Sequence, residues 1–162
     1  MIAAGDPIPA VPVKLVTAEG TTDTTADAVL GQGQVVLFSV PGAFTPTCHA
    51  NHLPGFIANG DKLKKAGVSR IVCATVNDEF VVKAWAKDTD AFGAVDFIAD
   101  GTATLAKAMG LERESSTLGT RFIRSAMLIK DGVVQNVFTE SAPGVSTTGA
   151  PAILMAIEAA SG

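Results

Sequence analysis

Residues 35–40, Val-Val-Leu-Phe-Ser-Val, and residues 70–76, Arg-Ile-Val-Cys-Ala-Thr-Val, are near-continuous apolar runs, the pattern of strands covered on both faces. A shorter run at 97–99 ends at Asp100-Gly101 and reads as another strand, and residues 11–16 read as an edge strand leading into a polar stretch. Helical signals lie between these runs. One helix starts at Cys48 and is continued or closed by residues 61–66, with Gly67 as its C-cap. A second is capped by Asn77-Asp78 and runs through Trp85 to Lys87, with Trp85 as its apolar anchor. Residues 103–109, closed by Gly110, and residues 151–159 predict two more. Residues 126–129 and 133–138 flank Asp131-Gly132, a strong hairpin signal. Strand–helix alternation ending in an antiparallel hairpin and a helix predicts an α/β fold, with a mixed central sheet flanked by helices.

Composition narrows the picture. The 162 residues are 48% apolar, enough for one sizeable core, and neither a repeat nor a Pro/Ser-rich linker divides them, so a single domain over 1–162 is expected. A net charge of −4 with dispersed Lys and Arg gives no footprint for nucleic acid. No basic segment precedes a long apolar run, and nowhere do eighteen apolar residues follow one another, which predicts a soluble, unexported chain that does not enter membranes. Two cysteines make a poor disulfide framework for this length and fit a reducing cytoplasm.

The candidate chemistry sits directly after the strand at 35–40. Pro41-Gly42-Ala43-Phe44-Thr45-Pro46-Thr47-Cys48 delivers a thiol to the mouth of a helix, where free N–H groups and the helix dipole favour the reactive thiolate. Thr45 lies three residues before Cys48, the offset at which a hydroxyl meets the start of a helix, so its oxygen is expected beside the sulfur. Pro41 lacks an N–H and offers an apolar ring to cover the pocket. Attack by a thiolate would also call for a cation, because negative charge develops on the departing group. Arg121 and Arg124 both qualify, and spacing alone leaves them nearly interchangeable.

This run, extended by His49-Ala50-Asn51-His52-Leu53-Pro54-Gly55-Phe56, resembles the active-site segment of the peroxiredoxins, in the type II or peroxiredoxin-5-like form. The resemblance implies a thioredoxin-like fold of the peroxiredoxin variety and a thiol-dependent peroxidase serving antioxidant defence. Its substrates would be hydrogen peroxide and alkyl hydroperoxides, and its peroxidatic nucleophile Cys48. It implies catalytic roles for Thr45, Pro41 and Arg124 and supporting roles for Arg121 and His52. It also implies a homodimer that needs neither metal nor haem, reset by glutathione with glutaredoxin or by thioredoxin.

Cys73 carries two readings. Inside an apolar strand it is by default a small buried hydrophobe, whereas the resemblance allows a resolving thiol at this position. Relatives with an intramolecular disulfide carry a resolving cysteine before the last helix, where this chain reads Gly144-Val145-Ser146-Thr147-Thr148-Gly149. A Cys48–Cys73 bond requires Cα atoms about 4.4–6.8 Å apart. A one-cysteine cycle is therefore expected, or one that Cys73 joins only after rearrangement. Cys48, His49 and His52 include metal-ligand types, but neighbouring helical residues point about 100° apart and no further cluster supplies a fourth ligand, so no metal is expected. His49 is assigned to the surface, and Phe44 to either the core or the pocket lip. Two rival functions remain, a peroxide-sensing thiol switch acting through a partner protein and a disulfide oxidoreductase. The second is weakened by Asn51, which stands where Cys-x-x-Cys would place its second thiol.

Overall fold

Side-chain alternation in the central strands sets two apolar layers, one on each face of the sheet. The computed structural model describes residues 1–161; Gly162, the last residue of the expected single domain, lies outside them. In chain order the elements are β1 (Pro12–Thr17), β2 (Gly20–Thr25), α1 (Ala26–Leu30), β3 (Gln34–Val40), a wide π-helical turn (Cys48–His52), α2 (Leu53–Ala58) and α3 (Gly60–Lys65). There follow β4 (Arg70–Thr75), α4 (Glu79–Asp88), β5 (Asp96–Ala99), α5 (Thr104–Met109), β6 (Glu112–Ser115), β7 (Gly119–Phe122), β8 (Ser125–Lys130), β9 (Val133–Thr139) and α6 (Ala150–Ser161).

The main sheet has the order β2-β1-β5-β4-β3-β8-β9. Strands β3, β4 and β5 run parallel, while β1, β8 and β9 pair antiparallel. This is the mixed sheet with flanking helices that the strand–helix alternation predicts. Residues 11–16 were expected at an edge, but β1 lies between β2 and β5. The polar stretch after it forms the true edge, β2, whose threonines suit an extended, solvent-facing strand. A separate two-stranded hairpin, β6–β7, was likewise not expected.

On one face Val36, Phe38, Ile71, Cys73 and Phe97 pack against Leu53, Phe56, Val82 and Trp85 from α2 and α4. On the other, Val35, Leu37, Val72 and Ile98 pack against Leu30 of α1 and Leu105 and Met109 of α5. Turn chemistry supports both layers. Asp131 and Gly132 both take positive φ, +49° and +81°, as a tight hairpin requires. Among the described residues no helix is long and apolar enough to cross a membrane.

Asp78 caps α4 by accepting from the N–H groups of Phe80 and Val81, both at 2.9 Å. Replacing it tests how much this cap stabilises the wall behind Cys48. Asp78→Ala is expected to cost about 1 kcal/mol and to lower Tm by roughly 2–4 °C in a thermal melt.

Candidate active site

The loop from β3 to Cys48 is held open by its own backbone. Phe44 adopts φ +61°, a region that a bulky side chain occupies at a cost of about 1–3 kcal/mol, so its neighbours must hold it there. They do so from both sides. Ala43 N–H donates to Asn77 Oδ1 at 2.9 Å, and the Phe44 ring stacks on His49 with centroids 5.7 Å apart. Helical residues begin at Pro46, where the missing N–H costs nothing, and the wide turn follows from Cys48. Pro54 accounts for the widening: its ring clashes with an α-helical carbonyl four residues back and it has no N–H to give. Leu53 N–H reaches instead to the Cys48 carbonyl, five residues back.

At the N-terminal end of this turn Cys48 is only 1% exposed. Arg124 Nη2 donates to its sulfur at 3.2 Å, and Arg124 Nη1 lies 2.8 Å from His52 Nδ1. His52 is also 1% exposed, with its ring against Phe38 and Phe56. Its Nε2 is 2.9 Å from the Thr148 carbonyl. Because a carbonyl only accepts, Nε2 carries the proton and Nδ1 offers its lone pair to Arg124. Burial pushes the His52 pKa down to about 4. The Thr148 carbonyl opposes that shift, and the Arg124 charge adds to it.

Arg124 is fixed along the chain as well. Ser39 Oγ donates to Ile123 O at 2.7 Å and lies 2.6 Å from Ser125 Oγ, so the residues on both sides of Arg124 are tied to the end of β3. Since the single Ser39 proton goes to the carbonyl, Ser125 is the donor between the two hydroxyls. A cleft of about 510 Å³ opens beside this group, lined by Pro41, Thr47, Arg113, Arg124 and Glu140 among others.

The remaining candidates divide. Thr45 Oγ1 does not hydrogen-bond to the sulfur. It donates to Gly42 O at 2.6 Å, because the loop turns back on itself and brings that carbonyl closer; its lone pairs stay available. Arg121 lies outside the Cys48 contact. It donates to Val76 O at 2.9 Å and to Leu118 O at 3.0 Å, pinning β7 to the loop before α4. Cys73 is fully buried in β4, where burial pushes its thiol well above the ordinary range and the Cys48 charge adds to the rise. Both cysteines are free. His49 is partly exposed, as expected, but it also accepts from Trp85 Nε1 at 3.0 Å and faces Asp88 at 3.8 Å. Sequence reasoning did not single out Ser39, Thr148 or Glu140, since each acts through partners remote along the chain.

A family model described as Redoxin matches residues 3–152. Peroxiredoxin-2B of Arabidopsis thaliana is 39% identical over 159 residues, which cover 96% of this chain and 98% of the plant protein. The chain belongs to the peroxiredoxins. Reduced Prx3 from Vibrio vulnificus in complex with hydrogen peroxide is similar throughout, with a TM-score of 0.91, 40% identity and coverage of 97% of this chain and 99% of that one. Peroxiredoxin 5 from Alvinella pompejana gives a TM-score of 0.85 at 33% identity, over 98% and 99% of the two chains. This peroxiredoxin is accordingly a thiol-dependent peroxidase, an oxidoreductase, of the peroxiredoxin-5-like kind.

The neutral His52 of the peroxiredoxin site makes stability depend on pH. An unfolded histidine takes up its proton near pH 6.5 and the folded one only near pH 4, so unfolding gains protons in that window. Stability conferred by the neutral ring is present above the window and lost as pH falls through it. Urea unfolding at pH 7 and pH 4.5 should differ by on the order of 2–3 kcal/mol, and His52→Gln should reduce that difference.

Proposed function

We propose that Cys48 is the peroxidatic nucleophile and that the cycle needs no second cysteine of this chain. The observation that carries the reading is the 3.2 Å contact from Arg124 to a sulfur otherwise shielded from water. A guanidinium keeps its charge at any working pH, so it favours the thiolate and, in the transition state, the oxygen leaving it. Hydrogen peroxide or an alkyl hydroperoxide enters through the cleft at Pro41 and Thr47. Thr45 accepts a hydrogen bond from the peroxide O–H through its free lone pairs, and Arg124 donates to the peroxide oxygens.

The thiolate attacks one oxygen. The S–O bond forms as the O–O bond breaks, and the leaving oxygen departs as water or alcohol after taking a proton. Cys48 is left as a sulfenic acid. A first external thiol condenses with it to a mixed disulfide and releases water; a second attacks that disulfide and frees the Cys48 thiol. Glutathione with glutaredoxin, or thioredoxin, serves as the donor. Cys73 is a spectator in this reading, supported by its complete burial and raised pKa. His52 and Arg121 support the site, His52 by holding Arg124 and Arg121 by holding the loop at Val76.

The reading extends to a homodimer and to a reducing cytoplasm, where the peroxidase serves antioxidant defence. Phe44, Phe80 and Leu118 are 48%, 76% and 46% exposed, on segments joined by the Ala43–Asn77 and Arg121–Val76 hydrogen bonds. Exposed apolar side chains on linked segments suit a second copy. Two free thiols suit a compartment that keeps them reduced.

Peroxide consumption is to be followed with glutathione plus glutaredoxin and with thioredoxin plus its reductase. Wild type and Cys73→Ser should turn over many equivalents with at least one donor, Arg124→Met should fall at least 100-fold in kcat/KM, and Cys48→Ser should be inactive. Wild type stopping after one equivalent with every donor would favour the sensing switch instead, and loss of turnover in Cys73→Ser would make Cys73 a resolving thiol.

A further inference from the structure

The loop between β9 and α6 converges on one carboxylate. Glu140 Oε2 accepts from Ser146 N–H at 2.9 Å, Thr148 N–H at 2.9 Å and Thr148 Oγ1 at 2.5 Å. Its Oε1 accepts from Ser146 Oγ at 2.7 Å and Thr147 N–H at 3.4 Å. Backbone N–H groups reach both oxygens, so an ionised carboxylate accepts all five contacts, whereas a glutamine of the same shape would turn its NH₂ toward an N–H in either orientation. Burial alone would raise the Glu140 pKa, yet the hydrogen bonds from Thr148 and Ser146 prevail and bring it down to about 2. Residues 141–143 and 146–147 are exposed, while Thr148 is fully buried. The carboxylate thus fixes the point at which a solvent-facing loop enters the core.

Thr148 gives its N–H and hydroxyl to Glu140 and its carbonyl to His52 Nε2. We infer that Glu140 is a positioning residue for the peroxidase reaction, acting through Thr148 and His52 to aim the Arg124 guanidinium at Cys48. The logic lies in the histidine tautomer. With the Thr148 carbonyl in place, the proton sits on Nε2 and Nδ1 accepts from Arg124. Were that carbonyl to move, the buried Nε2–H would lose its acceptor, and the other tautomer would point an N–H at an arginine N–H. Arg124 would then lose the contact that orients the Nη2 facing the sulfur. Glu140 hydrogen-bonds to neither Arg124 nor Cys48, though it lines the same cleft as Arg124 and its charge acts on His52; the hydrogen-bonded link runs through Thr148 and His52.

The inference rests on the reading of Cys48 as the peroxide-attacking thiol. Its test compares wild type, Glu140→Gln and Thr148→Ser, the last retaining both the hydroxyl and the backbone groups. Thiolate absorbance near 240 nm is titrated, the His52 tautomer is read by ¹⁵N NMR, and kcat/KM for hydrogen peroxide is measured. Buried Cys73 stays protonated over the working range, so the titration reports Cys48. In Glu140→Gln the midpoint should rise by about one pH unit, His52 should leave the Nε2–H form, and kcat/KM should fall about tenfold, the scale of one lost charge-assisted hydrogen bond. Thr148→Ser should stay within about twofold of wild type on the same scale. A folded Glu140→Gln protein with the wild-type midpoint and tautomer would overturn the inference, whether or not its activity or Tm had dropped. Midpoint and tautomer are read without turnover, so equal peroxide consumption by wild type and Cys48→Ser would overturn the Cys48 reading separately.

Discussion

Arg124 sets a permanent positive charge 3.2 Å from a sulfur that is 1% exposed, and the chemistry proposed for this peroxiredoxin is organised around that contact. Its strength depends on the exclusion of water. Two unit charges 4 Å apart interact by about 1 kcal/mol in bulk water and by about 4 kcal/mol at the effective dielectric typical of pairs near a protein surface. Phe38, Phe56 and Leu53 provide that exclusion beneath the site, all fully buried. They also displace the protonated form of His52, which leaves the ring a neutral acceptor beside the guanidinium instead of a competing cation.

Holding an arginine at such a point requires partners for the groups around it, since unpaired buried donors are costly. The sheet supplies part of the answer. Ser39 and Ser125 stand opposite one another in the β3–β8 register, and Ser39 also captures the Ile123 carbonyl, so Arg124 leaves the sheet from a fixed backbone. The helix supplies the rest. The wide turn presents Cys48 and His52 to the same guanidinium, and Pro54 at its end prevents that turn from closing into regular α-helix.

Features fixed by neighbours in the chain were legible in the sequence. The buried strands at β3 and β4, the Asp78 cap, the Asp131-Gly132 turn and the thiol at the mouth of a helix each depend on a few adjacent residues. Features fixed across the fold were not. Strand β2 is Gly-Thr-Thr-Asp-Thr-Thr and β6 is Glu-Arg-Glu-Ser, so neither carries apolar alternation, and both are strands only because a partner pairs with them. Spacing left Arg121 and Arg124 interchangeable because three residues of separation cannot say which leaves the sheet toward the sulfur. Thr45 turned to Gly42 because the loop folds back, a property of its φ angles. Glu140 and Thr148 gave no signal because their link to His52 spans nearly a hundred positions.

The division of labour proposed for the two cysteines has a structural basis. Cys73 sits in β4, which pairs with β3 on one side and β5 on the other, in the middle of the sheet. Moving it would break two ladders and open the core at Phe38 and Phe97. Cys48 begins a turn with no side-chain cap, followed by a six-residue helix that also lacks one and contains Pro54. Backbone opening is least costly where hydrogen bonding is irregular and local contacts are few, which is here the helix and not the sheet. In the proposed cycle, exposure of an oxidised Cys48 to an external thiol would therefore proceed by loosening of the Cys48 turn, with the strand carrying Cys73 left in place. The same loosening would withdraw the sulfur from Arg124, so in that cycle the geometry that favours attack on peroxide and the geometry that admits the reductant exclude one another.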